Sequence, residues 1–134
     1  MGELLGEINR ARAIARSCGA LSMPAVAPYA WNTLLAAASE RHSRDMARYN
    51  WFDHVGTDGS TFSQRIGAAG YAWSGVAENI GAGSASAAAT VAQWLASPPH
   101  CQALMSAVYQ EVGGSCAHRG ATSYGYYWTL NLGR

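Results

Sequence analysis

The sequence predicts an α+β layered domain. Segments with helical apolar spacing come first and between the strands, while the strands gather toward the end and pair in antiparallel fashion. No internal repeat and no linker divides the 134 residues. A doubly wound parallel sheet would need strands and helices in regular alternation, and this chain lacks it.

Leu4, Leu5 and Ile8, followed by Ala11, Arg12 and Ala15, keep helical spacing and predict a first helix over residues 3–16. SCGALSMPAVAPY follows as a loop broken by Gly19, Pro24 and Pro28. The clearest helix begins near Trp31–Asn32, with Asn32 as N-cap, and runs through TLLAAASERHSRDMARYN. Leu35, Ala38, His42, Met46 and Tyr49 share its apolar face, and Glu40, Arg41, Arg44 and Arg48 occupy the others. WFDHVGTDGS turns, and Ser60 or Thr61 caps a short helix ending between Gly67 and Gly70. The glycine-rich stretch from Tyr71 to Gly83 holds a short strand at VAENI. SASAAATVAQWLAS is helical, and Ser97-Pro98 starts another helix with His100 in its first turn. VYQEVGGSCA and SYGYYWTLNLG then form a hairpin around HRGATS.

Composition excludes several classes. The nine basic residues are all arginine and are scattered, with a net charge of +1, so a nucleic-acid partner is not expected. No stretch approaches the ~20 apolar residues of a membrane span. Glu3 and Glu7 interrupt the apolar start, which is therefore not a signal peptide. Met1 and Gly2 read as an initiator placed on a trimmed domain, so an export signal is expected to have been removed ahead of it. Residues 1–134 are expected to form one domain and to act as a monomer. Three cysteines are too few for a disulfide framework. Cys101 and Cys116 flank a helix-to-strand passage and are the candidate bridge, with Cys18 left over; small buried hydrophobes are the alternative.

Three ionisable residues stand in shaped surroundings: His54 in WFDHVGTDGS, Glu78 in GYAWSGVAENIGAG and His100 in WLASPPHCQALM. Imidazole, carboxylate and imidazole bind metals and move protons. The positive end of its helix favours the neutral form of His100. Glu78 lies in an otherwise uncharged stretch and needs a partner, either a histidine or backbone N–H groups. His42 reads as a core-edge histidine satisfied by a carbonyl, and His118 as a solvated turn residue. Asn79 points away from Glu78 and is expected to hold a loop by side-chain-to-backbone bonds. Trp51, Phe52 and Trp73 flank these motifs, either as an apolar wall or as ordinary core.

INRAR, AWNTLLAAASERHSRDMARYNWFDHVGTDG, RIGAAGYAW, ENIGAG, VAQWLASPPHCQALM and YYWTLNLG, in that order, resemble the CAP superfamily, and most closely its bacterial SCP-domain branch. This superfamily comprises cysteine-rich secretory proteins, antigen 5 and plant pathogenesis-related proteins. The resemblance implies an α-β-α sandwich with a central, mainly antiparallel sheet between helical layers. It also implies a secreted or periplasmic location and a cleft with two histidines and two acids. By motif, His54, Glu78 and His100 match three of these, and Ser97 falls where the second acid belongs. A serine hydroxyl supplies neither negative charge nor a base. Leu130 is a second departure, standing where the terminal motif usually continues with glutamine.

The expected function is ligand binding in a cleft lined by His54, Glu78, Ser97 and His100. The resemblance implies a lipid, sterol or cell-envelope ligand. No cofactor is required, and a zinc or other divalent ion would be held by His54 and His100. The alternative is a metal-assisted hydrolase or peptidase with Glu78 as general base. Against it, no HExxH helix is present and the fourth family acid is absent. A serine triad is not indicated, since Ser97 has no GxSxG elbow and no Asp partner. A third reading is an interaction domain with a vestigial cleft.

Overall fold

The computed structural model describes residues 2–134; Met1, read above as an added initiator, lies outside them. In chain order the elements are α1 (Gly2–Arg12), β1 (Arg16–Cys18), β2 (Leu21–Met23), β3 (Ala30–Trp31), α2 (Thr33–Tyr49), α3 (Phe62–Ala68), β4 (Val76–Ala82), α4 (Ala87–Leu95), α5 (Pro98–Leu104), β5 (Glu111–His118) and β6 (Tyr126–Gly133). The main sheet has the order β3-β5-β6-β4. Its β5–β6 and β4–β6 ladders are antiparallel, and the two-residue β3 joins β5 in parallel.

β6 decides how the layers are filled. Alternate side chains of a strand point to opposite faces, and YYWTLNL divides accordingly. Trp128, Leu130 and Leu132 join Leu4, Ile8, Val91, Trp94 and Leu104 in a core beneath α1, α4 and α5. Tyr127 packs with Met46 of α2 on the other face, where Thr129 Oγ1 accepts from Ser43 Oγ at 2.8 Å. Helices thus cover both sides of the sheet, as the α-β-α expectation requires. Leu130 is fully buried against the first of these layers. Burial of a leucine contributes about 1.5–3 kcal/mol, so apolar packing explains the departure from glutamine there.

α2 lies close over β5. A Cβ on Gly113 would come within 2.1 Å of the Ala36 backbone nitrogen, so only glycine permits the contact. Asn32 caps α2 as expected, its Oδ1 accepting from Leu34 N and Leu35 N. Thr61, rather than Ser60, caps α3, in a full capping box with Gln64.

Three expectations need correction. α1 ends at Arg12, not at residue 16, because the Arg12 side chain turns inward to donate to Ala27 O, Leu104 O and Ser106 O. The stretch read as a loop instead contains the β1–β2 hairpin around Gly19, which has φ +63°. Three-residue strands are too short to show alternation in a sequence. The bridge is Cys18–Cys101, with Cα atoms 5.4 Å apart, and Cys116 is the free thiol. Cys116 faces Trp128 across the β5–β6 ladder, whereas the hairpin brings Cys18 onto α5. No helix of the described residues is long and apolar enough to cross a membrane.

Candidate functional site

β4 is an edge strand of the main sheet, and its residues 78 and 79 point to opposite faces. Glu78 sits opposite Asn131 of β6, on the α2 side. Its carboxylate is fully buried, and both oxygens are engaged. Oε1 accepts from His54 Nδ1 at 2.9 Å, and Oε2 accepts from Arg65 Nη2 at 2.9 Å. Asn131, with its amide nitrogen toward the carboxylate, adds a third bond at 3.0 Å and accepts from Ser39 N through its oxygen.

His54 is the solvent-facing member, with 47% of its side chain exposed. Its Nδ1 bond to the carboxylate orients the ring and leaves Nε2 without a partner among the described residues. The backbone of its loop is clamped from beneath. Arg65 Nη2 also donates to His54 O, and His42 Nε2 donates to Asp53 O at 2.7 Å. His42 is fully buried rather than at the core edge. Its pKa is lowered, first by burial, and its Nδ1 has no partner among the described residues. A carbonyl partner was expected from the sequence, and Asp53 O supplies it.

On the other side of β4, Asn79 Nδ2 donates to His100 O at 3.2 Å and ties α5 to the strand. Ser97 is the N-cap residue of α5, but its hydroxyl makes no cap bond; it pairs with His100 Nδ1 at 2.9 Å. Pro99 removes the N–H of the second helical position, one of the two usual partners of a cap hydroxyl, and the Ser97 hydroxyl meets the His100 ring instead. Burial, followed by the charge of the nearby His54, lowers the pKa of His100. Both acid-free and neutral, this ring hydrogen-bonds but carries no charge near neutral pH.

The sequence-identified residues therefore form two pairs, His54–Glu78 and Ser97–His100, linked through consecutive residues of β4. No hydrogen bond joins one pair to the other. Sequence reasoning missed Arg65 and Asn131. Glu78, a carboxylate in an uncharged stretch, signals that a partner is needed, but nothing in FSQRIGA marks Arg65 as that partner. A cavity of about 370 Å³ shares Arg65 but is otherwise lined by residues such as Arg41, Asp45, Thr57 and Asp58, not by either pair. Trp51, Phe52 and Trp73 are 40–45% exposed, so they are not core. His118 is exposed but stacks on Tyr126, with ring centroids 4.2 Å apart.

Among the described residues no three His, Cys, Asp or Glu side chains converge as metal ligands. Zinc in catalytic sites uses three protein ligands, whereas Glu78 is consumed and Ser97 is neutral.

The profile of the CAP family, the cysteine-rich secretory protein family, matches residues 5–132. The chain belongs to the CAP family. An extracellular protein of Bacillus anthracis containing an SCP domain superimposes with a TM-score of 0.69 at 25% identity, over 79% of this chain and 33% of that one. An outer surface protein of Borrelia burgdorferi gives 0.69 at 20% identity, over 79% and 77%. A cysteine-rich secretory protein of Staphylococcus aureus gives 0.66 at 18% identity, over 99% and 39%. This CAP chain thus spans about a third of the Bacillus protein's length. No curated protein sequence matches it.

Proposed function

We propose that this CAP domain belongs to an exported protein and binds a lipid, sterol or cell-envelope ligand at His54, Glu78, Ser97 and His100, without turnover. The carrying observation is that the buried Glu78 carboxylate has both oxygens occupied by His54, Arg65 and Asn131. A carboxylate so held, with its side chain fully buried, positions a ring and is shut off from a substrate water. This weighs against the hydrolase reading. In our reading, His54 Nε2 accepts a hydrogen bond from a hydroxyl or protonated head group, and the neutral His100 lends the second polar contact. A divalent ion would meet only these two rings, so binding does not require one.

Export is supported by the extracellular and outer-surface relatives and by the Cys18–Cys101 bridge, a feature of oxidising compartments. The test is equilibrium binding of fluorescent fatty-acid, sterol and muropeptide probes in EDTA. At least one probe binds, and His54→Ala and His100→Ala each weaken it about ten-fold, the equivalent of one lost hydrogen bond. Peptide cleavage that vanishes in Glu78→Gln, or binding that needs added zinc, would sink this reading.

A further inference from the structure

Exposed large apolar side chains are not spread evenly over this molecule. Among the described residues, Tyr49, Trp51, Phe52, Val55 and Tyr124 are five of the ten such residues. They come from the end of α2, the loop after it and the turn before β6. The Phe52 and Tyr124 rings lie 5.5 Å apart. Asn50 Oδ1 accepts from Ser123 N at 2.9 Å and from Tyr127 Oη at 3.1 Å, fastening loop to turn. Two arginines border this crest. The Arg48 guanidinium lies 5.3 Å from the Tyr49 ring, and Arg119 Nη1 donates to Arg48 O. Neither has a carboxylate partner among the described residues.

We propose that this crest is a docking surface for an anionic phospholipid bilayer. Aromatic side chains with flanking cations are the combination that settles at the head-group level. The crest's own polar atoms point to lipid rather than glycan. Trp51 Nε1 donates to Val55 O, Val55 N to Asp53 Oδ1 and Trp51 N to Met46 O. Asp53 O and His54 O are taken by His42 and Arg65. The groups so engaged lose little on leaving water, whereas a sugar polymer would need them free. Asp53 is the one carboxylate of residues 49–55 and opposes an anionic surface; the two arginines outnumber it. Because His42 and Arg65 already hold the loop, docking orders little.

Co-sedimentation of the full chain with phosphatidylcholine vesicles, with and without phosphatidylglycerol, tests this independently of whether any ligand enters beside His54. The expected result is binding to the anionic vesicles with a blue shift of tryptophan emission that Trp51→Phe removes. Phe52→Ser with Tyr124→Ser weakens partitioning about ten-fold. Arg48→Gln and Arg119→Gln each reduce the preference for phosphatidylglycerol about five-fold. All five positions are exposed, and circular dichroism checks that the variants fold. No sedimentation with either vesicle, unchanged partitioning of the aromatic double variant, or retention on insoluble peptidoglycan without vesicle binding would overturn the proposal.

Discussion

Glu78 gives up its water and regains three hydrogen bonds inside the fold, one of them to a buried guanidinium. Arg65 and Glu78 side chains are 1% and 0% exposed, so each leaves the other uncompensated if removed. Breaking such a pair costs about 3–5 kcal/mol. Arg65→Met and Glu78→Gln should therefore each lose about 3 kcal/mol of stability in urea denaturation. The double variant should lose clearly less than the sum, because it strands no charge; additive losses would show that the pair is not coupled. His54 was legible as a special residue because aromatics and glycines frame it in the sequence. Arg65 was not, because a lone arginine in FSQRIGA looks like any solvated helix charge until the fold turns it onto β4.

At the scale of elements, α5 is the weakest support of the arrangement. It has seven residues, no side-chain N-cap bond and two prolines at its start, and isolated helices of that length are unstable. What holds it is the Cys18–Cys101 bridge, the Asn79 bond to His100 O and the packing of Gly19 on Pro98. The bridge spans a sequence separation of 83, and closing a loop of that size stabilises by about 4.5 kcal/mol. Cys18→Ala with Cys101→Ala should lose about that much in chemical denaturation, and reductant should have no further effect on the variant. Cys116→Ser, in contrast, should change stability by less than about 1 kcal/mol, as the thiol is only half-buried and unbridged. The pairing was not legible because spacing along the chain favours Cys101 with Cys116. Only the β1–β2 hairpin, too short to announce itself, carries Cys18 to α5.

For the molecule as a whole, proton linkage sets the acid limit of stability. Burial lowers the pKa of His42 and of His100 below the ordinary 6.5. Below pH 6.5 the unfolded chain takes up protons at these rings while the folded chain does not, so stability is full above that pH. It is lost as pH falls toward the folded values. Urea midpoints should therefore drop between pH 7 and pH 5. The drop should shrink in His42→Gln, which keeps a donor for Asp53 O but does not titrate; an unchanged slope would show that His42 is not the group responsible.

The sequence by itself determined the layered α+β class, the long capped α2, the closing hairpin and the residues worth watching. These follow from local periodicity, capping chemistry and turn residues, each legible within a window of a few residues. The tertiary structure decided which cation neutralises Glu78, which cysteine meets Cys101 and which face of β6 carries the polar contact. Those outcomes depend on strand register and on how segments far apart in the chain are brought together, and no local pattern encodes either.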